Sequence, residues 1–175
     1  MMELIFPLVF GVAIIEMILS GTWNVFYFRS GFPIYRRERR GIPIPSPITD
    51  AEKIESLIPE SKCPKLLFRK ADKNFFIFRE RAFQLFGFNY TPIMHGNLII
   101  DPLRGQIEVI GRLNWFVLIF SIVVAGIPMY WEYGVPVGFI FLAFLAVLLS
   151  VIYTVQKKRF DQVADLVAQN MANLL

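Results

Sequence analysis

The sequence is poor in the residues that most often bind metals, form cross-links or carry out catalysis. It has one cysteine, Cys63, and one histidine, His95. One cysteine cannot form an intramolecular disulfide, and together the two residues are too few for a structural zinc site. We interpret His95 as a strand-start or loop residue, because no nucleophile with a recognisable spacing accompanies it. The sequence therefore predicts a chain that is not an enzyme and has no catalytic, cofactor-binding or metal-binding residues.

Charge is absent from two long stretches and nearly absent from a third. Residues 113–131 and 134–156 carry no charged side chain, and residues 4–28 carry only Glu16. Each stretch is about as long as the roughly 20 residues that a membrane-spanning helix needs. The first lacks the basic start of a signal peptide, so we interpret it as a retained helix. The pattern predicts a membrane protein with three transmembrane α-helices at these positions.

Basic residues are missing from one side of each predicted helix. All 18 lysines and arginines lie within residues 29–112 or 157–159. Basic residues near the ends of membrane helices stay on the cytoplasmic side. The sequence therefore predicts a multi-pass protein of the plasma (inner) membrane, with its N-terminus outside and its C-terminus in the cytoplasm.

A dense basic cluster follows the first predicted helix. It consists of Arg36, Arg37, Arg39 and Arg40, and prolines follow it at 43, 45 and 47. We interpret residues 29–48 as a basic cluster and proline-rich linker. The arginines are candidates for contacts with anionic lipid head groups, or they serve only to orient the neighbouring helix.

Residues 49–112 have the pattern of a small cytoplasmic α+β domain. Runs of β-branched and aromatic residues at 66–71 and 74–80 flank a turn signal at Asp72. A second pair of runs, at 95–100 and 106–113, flanks the segment from Asp101 to Gly105, in which proline and glycine favour a tight reversal. The domain is predicted to contain four or five antiparallel strands.

The stretch from Gly96 to Arg112, which leads into a hydrophobic segment, resembles the equivalent part of uncharacterised bacterial membrane proteins. Those proteins carry a small pleckstrin-homology-like β domain on their cytoplasmic side. The resemblance covers about a third of the chain and implies a role in binding or scaffolding. It transfers no site residue.

Glu16 is the one acidic or basic residue inside the predicted spans, so it requires a partner or a proton. It belongs to a stripe of small and polar residues that has a counterpart on the third predicted helix. We expect these residues to pack helices together, with Glu16 near Ser150, or to contact a partner. The two stripes are Ala13, Glu16, Ser20 and Asn24, and Ala143, Ala146, Ser150 and Thr154.

Residues 157–175 have the spacing of an amphipathic helix that continues the third predicted span. An apolar face without a partner is unstable, so the helix is expected to dock on the chain's own domain, on a partner subunit or on lipid. The predicted docking face is Phe160, Val163, Val167, Met171 and Leu174.

Together these features predict a non-catalytic membrane subunit that scaffolds or stabilises a larger complex. Its expected partners are other membrane protein subunits and membrane lipids, with anionic lipids among the candidates, and not nucleic acid. The alternative is an independent membrane protein that binds anionic lipid head groups through its basic cluster and β domain.

Overall fold

The fold is a five-stranded antiparallel sheet with helices on both faces. The computed structural model of the chain describes residues 2–42, 44, 54, 66–80, 93–130 and 135–172. The strands lie in the order β1-β5-β4-β3-β2, so β1 and β2 form the edges. In chain order the elements are α1 (Met2–Gly21), α2 (Val25–Arg29), β1 (Pro33–Arg40), β2 (Leu66–Asp72), β3 (Phe75–Glu80), β4 (Met94–Asp101), β5 (Gln106–Leu113), α3 (Trp115–Tyr130) and α4 (Val135–Ala172).

The helices contradict the predicted membrane architecture. Within the described ranges, no helix is both long enough and apolar enough to cross a membrane. Helix α3 has 16 residues, fewer than the roughly 20 that a crossing needs. Helix α4 continues without a break from the apolar segment into the charged segment that packs on the sheet. The three transmembrane helices, the multi-pass location and the assigned orientation are therefore wrong.

The two hairpins lie where the sequence predicts them. Strands β2 and β3 pair around a turn at Lys73, and β4 and β5 pair around a turn at 102–105. In the second turn the Asp101 carboxylate accepts hydrogen bonds from the backbone N–H groups of Leu103 (3.1 Å) and Arg104 (3.2 Å). This side chain fixes the reversal, as aspartate does in many turns.

The basic cluster is a strand and not a linker. Strand β1 contains all four arginines and pairs antiparallel with β5. Gly31, with φ of 93°, makes the turn before it, and a Cβ there would lie 2.8 Å from the Leu113 carbonyl oxygen. The assignment of residues 29–48 to a linker is therefore wrong for Pro33–Arg40, and the sheet begins before residue 49.

One face of the sheet is covered by the C-terminal half of α4. Phe160, Val163 and Val167 are buried there against strand residues such as Phe78 and Val109. The predicted docking face therefore lies on the chain's own sheet, with Met171 also buried, while Leu174 is outside the described residues.

The opposite face is covered by α2. Tyr27 and Phe28 are buried against Ile77. His95 and Asn97, on the same face of β4 as each other, are buried there too. The Asn97 amide donates to the Phe28 carbonyl (2.9 Å), which ties α2 to the sheet. This arrangement brings α1, α2 and the start of α3 together around a set of buried polar groups.

Candidate functional site

Glu16 lies at the junction of three helices. Its side chain is buried, and its Oε1 accepts hydrogen bonds from the Tyr27 hydroxyl (2.5 Å) and the Trp115 N–H (3.1 Å). Its Oε2 accepts from the Phe116 N–H (2.5 Å). The first N–H groups of a helix have no partner within the helix and carry partial positive charge. Glu16 therefore caps α3 from α1, while Tyr27 ties the same carboxyl group to α2.

The polar contacts continue into the sheet. The Tyr27 hydroxyl lies 3.4 Å from Asn114 Oδ1, and that oxygen lies 2.9 Å from His95 Nδ1. The rings of Tyr27 and His95 are in contact, with centroids 4.5 Å apart. We name Glu16, Tyr27, Asn114 and His95 the junction network. It links α1, α2, the start of α3 and strand β4.

Burial sets the protonation of the junction network. Desolvation raises the pKa of Glu16 above its usual 4.5, opposed by the hydrogen bonds from Tyr27, Phe116 and Trp115. Desolvation lowers the pKa of His95 from 6.5 to about 4, opposed by its contact with Asn114. His95 is therefore neutral near pH 7. It is also buried, which does not suit a residue that exchanges protons with a substrate.

The two predicted stripes have different surroundings. Ala13 and Ser20 are half-buried, whereas Glu16 is buried. Asn24 caps α2 by accepting a hydrogen bond from the Tyr27 N–H (3.1 Å). The second stripe, Ala143, Ala146, Ser150 and Thr154, is exposed. Ser150 donates to the Ala146 carbonyl of its own helix (2.7 Å). The structure therefore does not bring Glu16 and Ser150 together.

The four arginines of β1 form ion pairs with four acidic side chains. Arg37 pairs with Asp161 and, at 3.1 Å, with Asp165, and Arg39 also pairs with Asp165. On the other face, Arg36 pairs with Glu108 (2.6 Å) and Glu38 (3.3 Å), and Arg40 pairs with Glu38 (2.8 Å). The charges of the four acids thus balance those of the four arginines.

These ion pairs differ in burial, which predicts different effects on stability. The Arg37 side chain is 28% exposed and bridges β1 to α4, whereas that of Arg40 is 75% exposed. Arg37→Ala is expected to lower the free energy of unfolding by about 1–2 kcal/mol, because the partly buried Asp161 carboxylate loses a donor and the link to Asp165 is lost as well. Arg40→Ala is the matched control and is expected to leave the urea midpoint unchanged. Equal midpoints for the two variants would contradict the bridging role.

A large apolar surface is exposed on the helices. We name it the apolar helix surface and define it by exposed side chains of α1, α3 and α4. Helix α1 packs mainly on α3, and α3 on α4, so the three helices are neighbours. The members are Leu8, Phe10, Ile14, Ile15, Met17, Ile18, Ile122, Phe139, Ile140, Phe144, Val147, Leu148, Val151 and Val155.

A shallow groove of about 450 Å³ runs along this surface on α4, between Ala146 and Val155. The hydroxyl groups of Ser150 and Thr154 donate to carbonyl groups of their own helix, to Ala146 (2.7 Å) and Ser150 (2.8 Å). These two hydroxyl groups therefore have no proton left to donate to a ligand. The groove suits an apolar occupant better than a sugar or a nucleotide, which needs donors.

Sequence reasoning did not find Tyr27 and Asn114 as members of the junction network. The signal for Asn114 was its place directly before a long apolar run, where asparagine commonly caps a helix. Tyr27 gave no comparable signal. Cys63 lies outside the described residues.

Comparison with protein-family models, with curated proteins and with solved structures finds no match to this chain. The resemblance to proteins with a pleckstrin-homology-like domain therefore stays a prediction.

Proposed function

We propose that the chain is a non-catalytic subunit of a larger protein assembly, and that it binds its partner through the apolar helix surface. The observation that carries this proposal is the exposure of so many large apolar side chains on three neighbouring helices. Monomeric proteins rarely expose extensive apolar patches, because water disfavours them by roughly 25 cal/mol per Å². A partner protein that presents its own apolar helices would bury this surface.

The rest of the chain supports a scaffolding role. The only histidine is buried in the junction network and neutral near pH 7, so it does not offer an accessible base. The sheet and the second half of α4 form a core that supports the exposed helices. Binding of anionic lipid by the β1 arginines receives less support, since Glu38, Glu108, Asp161 and Asp165 balance their charge.

A charged substitution on the apolar helix surface tests the proposal. Val147 is 63% exposed at the groove, so Val147→Glu is expected to leave the fold intact and to lower partner binding at least about tenfold, because burying an unpaired carboxylate is costly. The measurement is photo-crosslinking in the native cells, with the reactive group placed at Ile14 on α1 and the products identified by mass spectrometry.

Leu103 provides the matched control. It is 99% exposed at the tip of the β4–β5 turn, away from the helices, so Leu103→Glu makes the same kind of change elsewhere. We expect one partner chain to be crosslinked from Ile14, to be lost in Val147→Glu and to persist in Leu103→Glu. Crosslinks to lipid alone, or equal loss in both variants, would contradict the proposal.

A further inference from the structure

The Tyr27 hydroxyl has one proton and two acceptors. It lies 2.5 Å from Glu16 Oε1 and 3.4 Å from Asn114 Oδ1. When Glu16 is ionised, the hydroxyl donates to the carboxylate. When Glu16 is protonated on Oε1, the carboxyl group donates to the Tyr27 oxygen, and the hydroxyl proton turns towards Asn114. The junction network thus has two arrangements that differ by one proton.

We propose that the junction network is a proton-sensitive latch that fastens α1 to α2 and to the start of α3, with Glu16 as the group that takes up the proton. The step binds one proton from water on Oε1 and rotates one O–H bond, and no bond between heavy atoms changes. In both arrangements Oε2 still accepts from the Phe116 N–H, and Oε1 keeps a lone pair for the Trp115 N–H. The latch does not depend on the proposed assembly surface.

The other charged and titratable groups around the junction do not take over this role. Burial and Glu16 raise the pKa of Tyr27, so its hydroxyl stays protonated. His95 on β4 is neutral near pH 7. Three arginines from the neighbouring elements have contacts of their own. Arg112 of β5 donates to the Gly31 carbonyl (2.9 Å), Arg29 of α2 pairs with Asp72 (3.4 Å), and Arg79 of β3 lies over the Trp23 ring (4.8 Å).

The direction of the pH effect follows from the burial of Glu16. A folded-state pKa above the unfolded value of 4.5 gives stability that is fully present below pH 4.5 and is lost as the pH rises through the folded pKa. Lowering the pH is therefore expected to strengthen the contribution of Glu16 to the stability of the junction network, which tightens the latch. His95 acts in the opposite direction, since its folded pKa is about 4 and its unfolded value 6.5, so its contribution falls as the pH falls from 6.5 to 4.

A comparison of the wild-type chain with Glu16→Gln separates these effects, because both proteins keep His95. The measurement is urea unfolding between pH 4 and pH 8. We expect the ratio of the wild-type unfolding constant to that of Glu16→Gln to rise with pH. The rise should be about tenfold for each unit by which the folded pKa of Glu16 exceeds 4.5. A ratio that does not change with pH would overturn the latch.

A direct titration decides the same question without a destabilising variant. The Glu16 side-chain carbon, followed by NMR in the wild-type chain, is expected to titrate above pH 4.5. Tyr27→Phe is expected to move this titration upward, because the Tyr27 hydrogen bond lowers the pKa of Glu16. Asp165→Asn, a change at an acid of α4 on the opposite face of the sheet, is expected to leave it in place. A titration at or below pH 4.5, or no response to Tyr27→Phe, would overturn the proposal.

Discussion

Replacing Gly96 with alanine is expected to lower the free energy of unfolding by about 3 kcal/mol, because the added methyl group has no room. A Cβ at this position would lie 2.1, 2.3 and 2.4 Å from three carbon atoms of the Phe78 ring. Gly96 and Phe78 are directly opposite each other on β4 and β3. The ring lies across the glycine, which explains why a glycine occupies the middle of a strand.

The Phe78 ring cannot move aside without disturbing the core. It is fully buried, and its centroid lies 5.1 Å from that of Phe68 and 4.9 Å from that of Phe160 on α4. A shift of the ring therefore displaces the helix that covers the sheet. Close-packed interiors respond to an added methyl group with strain, since few voids are available to absorb it.

Two other glycines are matched controls for Gly96→Ala. Gly111→Ala would meet the Met94 sulfur at 2.6 Å, but methionine is flexible, so a smaller loss is expected. Gly11 lies within α1 with open space around it, so Gly11→Ala is expected to stabilise the chain by up to about 1 kcal/mol. The measurement is urea unfolding followed by circular dichroism. If Gly96→Ala unfolds at the wild-type urea midpoint, Phe78 does not pack on Gly96.

The hairpins were predictable because their signals are local. Strands β2 to β5 are marked by runs of apolar, β-branched and aromatic residues that adjoining positions reveal, and the segment from Asp101 to Gly105 has the chemistry of a turn. Strand β1 was not predictable in this way. Its four arginines suggest an exposed segment, and the acids that hold Arg37 and Arg39 lie more than 120 residues later in the sequence. Pairing over such a distance leaves no pattern in a window of ten residues.

The helices show a different limit of sequence reasoning. Apolar runs at 4–28, 113–131 and 134–156 predicted helices, and most of these residues are helical. The prediction that these runs span a membrane was wrong, because apolar composition alone does not show whether lipid or protein contacts a helix. The amphipathic segment was interpreted as a helix that continues the last apolar run, and the structure confirms this with a single helix, Val135–Ala172.

Glu16 shows both what the sequence could predict and what it could not. Its position in an apolar stretch predicted that it needs a partner, and the structure gives it three hydrogen-bond donors. The sequence could not show which donors these are. Two are backbone N–H groups about 100 residues away, and backbone groups have no sequence signature. The expected neighbour, Ser150, was inferred from matched spacing on two helices, and such spacing does not fix which helices meet.

The number of donors that lose their acceptor therefore ranks the substitutions at Glu16. Glu16→Ala is expected to lower the free energy of unfolding at pH 7 by about 3 kcal/mol. The partly buried N–H groups of Trp115 and Phe116 lose their acceptor, and the Tyr27 hydroxyl keeps only its longer contact with Asn114 (3.4 Å). Glu16→Gln retains an acceptor for Phe116, and its amide can donate to the Tyr27 oxygen. One N–H group, that of Trp115, is left facing a donor, so a loss of only about 1 kcal/mol is expected.

Urea unfolding at pH 7 measures this order, and Ala13→Ser provides a control that changes a half-buried residue of the same helix without removing an acceptor. Hydrogen exchange at the Phe116 amide locates the effect, since the amide should lose protection in Glu16→Ala and keep it in Glu16→Gln. Equal losses in the two glutamate variants would mean that the negative charge, and not the acceptor atoms, holds the junction. In that case the cap on α3 would be electrostatic, and the latch would open in acid instead of tightening.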